Sequence, residues 1–70
     1  MNSSHIADAQ EILAEVARGD HGVTPDLRWA ARRAATHPTA GEFLRDALAA
    51  DELKGEFRQA VRTLLKAGRL

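Results

Sequence analysis

The chain has 70 residues, with ten basic and ten acidic side chains that cancel and no cysteine. That length holds one domain, spanning residues 1–70, and a chain this short buries only about 60% of the surface its unfolded form exposes. The missing cysteines exclude disulfides, thiolate catalysis and Cys-based zinc or iron–sulfur sites, and the balanced charge provides no overall field toward nucleic acid or an anionic membrane.

At the amino end, Met1-Asn2-Ser3-Ser4-His5 has neither the basic nor the apolar stretch of a secretory leader. No apolar run approaches the roughly 20 residues that span a bilayer. A cytoplasmic location without membrane contact is expected. Strand-type alternation is missing and apolar residues recur three and four apart, so the fold class is all-α. Ser3 or Ser4 is placed to cap a first helix over about 5–18, with Ile6, Ala9, Ile12, Leu13 and Val16 on its apolar side. Gly19 ends it, and Asp20-His21-Gly22 forms the turn.

Thr24-Pro25 starts a second helix over about 25–36, because threonine can cap free amides and proline at the first position has no amide to leave unpaired. Pro38 closes that helix by pushing His37 out of helical geometry. Thr39-Ala40-Gly41-Glu42 has capping-box spacing and predicts a third helix over about 40–50. Asp51 is placed to cap a fourth over about 52–67, where Phe57, Ala60, Val61, Leu64 and Leu65 form the buried stripe. Gly55 is unfavourable inside that helix and offers an alternative start. The expectation is a small four-helix domain of two consecutive α-hairpins packed together.

A shift of about 30 residues aligns the halves. Glu11, Ile12, Leu13, Glu15 and Asp20 fall on Glu42, Phe43, Leu44, Asp46 and Asp51. After one residue is dropped in the turn, Asp26, Leu27, Arg28, Ala30, Ala31 and Arg32 fall on Glu56, Phe57, Arg58, Ala60, Val61 and Arg62. Two origins fit this match: a duplicated hairpin, as in stacked helical arrays, or the general likeness of amphipathic helices rich in Ala, Leu, Glu and Arg. The segment Thr24-Pro25-Asp26-Leu27-Arg28-Trp29-Ala30-Ala31-Arg32-Arg33-Ala34-Ala35 resembles the second half of a HEAT-type repeat, with a fainter echo from Glu56 to Leu65. HEAT repeats are usually longer and more numerous. The resemblance implies a scaffold for protein contacts and transfers no site.

Each unit carries acids four apart on its first helix, Glu11/Glu15 and Glu42/Asp46, and arginines four apart on its second, Arg28/Arg32 and Arg58/Arg62. Residues four apart share a helix face, so antiparallel packing would let these faces form salt bridges at the rim. The other reading joins Arg28, Arg32, Arg33, Arg58, Arg62, Lys66 and Arg69 into a basic surface for phosphates or an acidic partner.

Trp29 stands away from the stripe formed by Leu27, Ala30, Ala31 and Ala34, and its counterpart in the second unit is the polar Gln59. With Arg28, Arg32 and Arg33 it has the composition of an interface hot spot, and Arg33 is placed to stack on the indole. In the alternative, Trp29 covers the alanine-rich second helix, against Ile6 or the amino-terminal segment.

Catalytic groups are not expected. His5, His21 and His37 lie 16 apart, without metal-ligand spacing, and the only serines are Ser3 and Ser4. Gly-Asp-His-Gly at 19–22 lacks the spacing and flanking strand of a phosphate loop. For a helix-turn-helix the turn from Gly19 to Thr24 is too long, and Pro25-Asp26 would face phosphate poorly. These residues point to a non-enzymatic interaction protein without cofactor or metal, acting as an adaptor, regulator or inhibitor, of the kind phages and mobile elements encode. It would dock on another protein or as a homodimer through Trp29, Arg28, Arg32 and Arg33, flanked by Phe43 or Phe57 where either aromatic is not fully buried. The alternative is a DNA- or RNA-binding regulator using the arginines of the second and fourth helices.

Overall fold

The computed structural model describes residues 3–70, with side chains from residue 5 onward. Four helices follow one another: α1 Ser3–Ala17, α2 Pro25–Arg33, α3 Pro38–Ala49 and α4 Gly55–Lys66. They close into a ring. Each packs on its neighbours in the chain, α4 returns against α1, and the backbones of the two diagonal pairs do not approach closely. The fullest packing joins α1 to α4, between the two halves, and the sparsest joins α3 to α4 within the second half.

Helix ends account for most differences from the sequence-based boundaries. Ser3 already lies inside α1, and any side-chain cap ahead of it lies outside the described residues. Thr24 caps α2 as anticipated, its hydroxyl accepting from the Leu27 amide at 3.4 Å. Regular helix stops at Arg33 rather than near 36, because the residue before Pro38 is extended (His37, φ −129°, ψ 108°) and the intervening residues unwind into turns. For the same reason α3 starts at Pro38, two residues before the predicted start, with His37 in the capping position. Thr39 is therefore within the helix, and its capping box with Glu42 does not form. Thr24→Ala is accordingly expected to lower stability by about 0.5–1 kcal/mol and Thr39→Ala to leave it nearly unchanged, a contrast that parallel thermal melts would resolve.

α1, α3 and α4 end in one hydrogen-bond pattern. The Gly19 amide donates to the Val16 carbonyl (2.9 Å) and Asp20 to Glu15 (3.0 Å); Asp51 to Leu48 (3.1 Å) and Glu52 to Ala47 (2.9 Å); Gly68 to Leu65 (3.1 Å) and Arg69 to Leu64 (2.8 Å). This Schellman motif needs a left-handed residue just past the helix, and Gly19, Asp51 and Gly68 fill that place with φ of 92°, 61° and 73°. Asp51 thus terminates α3 instead of capping α4, which corrects the predicted start near 52; α4 begins at Gly55, the alternative start. A left-handed aspartate carries a strain that glycine lacks. Asp51→Gly is expected to stabilise the domain by about 0.5–1 kcal/mol and raise its melting midpoint by a few degrees.

The core draws Ala9, Leu13 and Val16 from α1, Ala30 and Ala31 from α2, Ala40, Leu44 and Ala47 from α3, and Phe57, Ala60, Val61 and Leu64 from α4. Leu53, in the connection before α4, completes it at 2% exposure. No polar or charged side chain is buried among the described residues. The aligned halves share this burial pattern: Ala9, Leu13 and Val16 match Ala40, Leu44 and Ala47, and Ala30 and Ala31 match Ala60 and Val61. Leu27 and Ala34, matching the buried Phe57 and Leu64, are only partly covered. So many alanines let the helices approach closely and leave few large side chains to hold them together.

Candidate functional site

Three features could take part in recognition: an aromatic ridge on α2 and two grooves flanking α1. The ridge centres on Trp29, which is 41% exposed. At about 100° per residue Trp29 points well off the buried face of α2, so the indole lies outside the core. Its ring meets His37 edge-on, centroids 5.4 Å apart and planes at 69°. The aromatic neighbour is thus the histidine ahead of Pro38, brought beneath the indole where α2 unwinds, a partner that helical spacing on α2 alone could not reveal. Phe43, at 36%, is the other large apolar side chain left open among the described residues, whereas Phe57 is enclosed at 2%.

The arginines do not form one surface. Arg33, four residues after Trp29, shares its ridge, and Arg32 stands between the ridge and the neighbouring groove with α1. Arg28 is half-buried and lies over the end of α1, its Nε 3.9 Å from where a side chain on Gly19 would begin. That Nε is buried without a hydrogen-bond partner, so Arg28 serves packing against the helix terminus more than contact with solvent. Arg58 and Arg62 are exposed on the flank of α4 away from its groove with α1. Lys66 borders a small cleft with His5 and Ile6, and Arg69 lies beside Arg32 in the α1–α2 groove. The basic surface read across the second and fourth helices is therefore divided among separate faces.

Salt bridges across the hairpins are also absent among the described residues. Glu15 instead accepts a 2.9 Å hydrogen bond from His21 Nε2 in the α1–α2 turn, and Arg18 approaches Asp20 at 3.5 Å. Neither pair joins two helices. Glu15 lies in the last turn of α1, and the left-handed Gly19 folds the chain back over it, so the nearest partner is local.

Both grooves are open to solvent, and α1 is a wall of each. Between α1 and α4 the floor is Ala9, Ile12 and Ala60, and every ionisable side chain lining it is acidic: Asp8, Glu11 and Glu56. Between α1 and α2, closed below by Leu64 and Leu70, the walls are largely alanine and every ionisable side chain is arginine: Arg18, Arg32 and Arg69. Arg18 carried no signal in the sequence, because it belongs to no four-residue pair of arginines. The grouping arises only when the ends of α1 and α4 meet beside α2.

No group of three or more His, Cys, Asp or Glu side chains that could hold a metal occurs among the described residues. No described helix is long and apolar enough to cross a membrane. Comparison of the chain with protein-family models, with curated proteins and with solved structures finds no match.

Proposed function

We propose that this chain is a non-enzymatic protein-interaction module that docks on another protein through the ridge of Trp29, with Arg33 beside it and Arg32 at its edge. One observation carries the reading: the largest apolar side chain of the protein is 41% exposed, while a closed core is completed without it. Exposing an indole forgoes apolar burial that a small domain could use, and Trp with Arg is the pairing most enriched where binding energy concentrates. The edge-on contact with His37 restrains the ring, which lowers the entropy lost when a partner covers it.

The test is affinity capture from the native host with wild type and Trp29→Ala in parallel, at low and high salt. Protein partners held by wild type at both salt concentrations and lost from the variant are expected. Identical partner lists would remove the Trp29 surface from consideration. Recovery of nucleic acid alone, released steeply by salt, would replace the reading with DNA or RNA binding through arginines.

A further inference from the structure

We infer that the groove between α1 and α2 is a second docking surface, shaped and charged to take an acidic amphipathic helix of a partner protein. Every ionisable side chain lining it is an arginine: Arg18 from the end of α1, Arg32 from α2 and Arg69 from the segment after α4. All three are exposed, and Arg32 and Arg69 form no ion pair among the described residues. Arg18 approaches Asp20 at 3.5 Å with both side chains more than half exposed, a pair too solvated to keep the guanidinium from a competing carboxylate. Of the acids that precede Arg18 on α1, Glu15 is bonded to His21, and Glu11, two turns away on the same outward face, borders the groove with α4 instead. Carboxylates brought by a partner would therefore meet arginines that no acidic side chain of the lining neutralises.

The rest of the lining selects the kind of partner. Ala14 and Ala17 on α1 face Ala34 and Ala35 beyond the end of α2; Ala14 and Ala35 are exposed and the other two half-buried, so methyl groups meet water along both walls. Two helices with small side chains along their furrow let a third helix approach closely. Its apolar stripe would take the floor out of water while acids along its edges reach the arginines. No aromatic ring lines the groove for a nucleotide base to stack on, which disfavours nucleic acid. The groove is also open to solvent, where a free fatty acid would want an enclosing pocket. Trp29 is not part of the lining and only Arg32 borders both surfaces, so the groove and the Trp29 ridge can be tested separately.

The test titrates the intact chain with a synthetic helix of about 18 residues, long enough to form alone, with leucines on one face and glutamates along both edges. Amide chemical shifts report where it binds. Saturable binding is expected, with shifts centred on Ala14, Ala34 and Leu70, and about tenfold weaker binding of a counterpart carrying Gln for every Glu, the difference shrinking as salt rises. Arg18→Gln/Arg69→Gln should bind the acidic peptide about fivefold or more weakly. Ala14→Glu should do the same by placing a carboxylate in the groove, and Trp29→Ala should bind like wild type. Parallel titrations with laurate and with oligothymidine should give weaker binding. No saturable binding up to about millimolar peptide overturns the inference. So do equal affinity for the Gln counterpart, shifts centred on Trp29, or tighter binding of laurate or oligothymidine in the groove. Unchanged binding by Arg18→Gln/Arg69→Gln also overturns it; if circular dichroism shows that variant unfolded, Arg69→Gln alone takes its place, with weaker binding in support and unchanged binding against.

Discussion

Phe57→Ala is expected to leave the chain largely unfolded at 25 °C. Phe57 is 2% exposed and is the one aromatic side chain in a core otherwise made of Ala, Val and Leu. It lies where the α1–α2 turn and the α3–α4 connection come together, beside Leu27 and Leu53. Truncating a buried phenylalanine costs about 3–5 kcal/mol, as lost transfer energy plus the cavity left behind. A single small core rarely supplies more than about 3–5 kcal/mol in total, so the substitution removes a quantity comparable to the whole stability. Far-UV circular dichroism should show helicity lost. Phe57→Leu should cost less than about 1.5 kcal/mol and keep the fold, because it conserves most of the volume. A Phe57→Ala variant that retains a cooperative melt near the wild-type midpoint would contradict this account of the core.

Replacing Trp29 separates recognition from folding. At 41% exposure the indole contributes part of its area to the fold. Trp29→Ala should therefore cost about 1–2 kcal/mol of stability and keep the domain folded. Binding should suffer more: truncating a tryptophan at an interface centre costs about 2 kcal/mol or more, equivalent to about a 30-fold loss of affinity. The check is titration of a captured partner against both proteins at a temperature where each is folded. The folded variant binding within about twofold of wild type would show that Trp29 is no anchor. Trp29→Gln, which copies the residue at the aligned position of α4, should bind as poorly as Trp29→Ala, since both lack the aromatic surface.

These two residues illustrate how far local pattern reaches. Phe57 and Trp29 could be assigned to opposite sides of their helices because the 3.6-residue period determines which side chains share a face. Leu53 could not: it is buried from a connecting segment, where no period operates. Helix ends were legible where one residue imposes a backbone geometry, as at Thr24-Pro25 and Gly19, and misread where two signals competed. At His37 to Glu42 the restraint of Pro38 on the preceding residue prevailed over the capping box, since a steric restraint on the backbone outweighs an optional hydrogen bond. At Asp51 a residue type suited to open a helix closes one, because the turn to Leu53 requires a left-handed residue there.

Length, absent cysteine, balanced charge, the helical period and the helix-breaking residues dictate an all-α, four-helix domain, since each acts through composition or through neighbours within about five residues. Which helices touch is a different matter. The ring closed by α1 against α4 and the gathering of acids and of arginines into separate grooves beside α1 depend on residues distant in the chain, and the edge-on seat of Trp29 on His37 depends on how the chain unwinds between them. Charge spacing along single helices suggested ion pairs between them. Packing kept those charges apart, because the alanine-rich faces that bring the helices together also set which way each charged face turns.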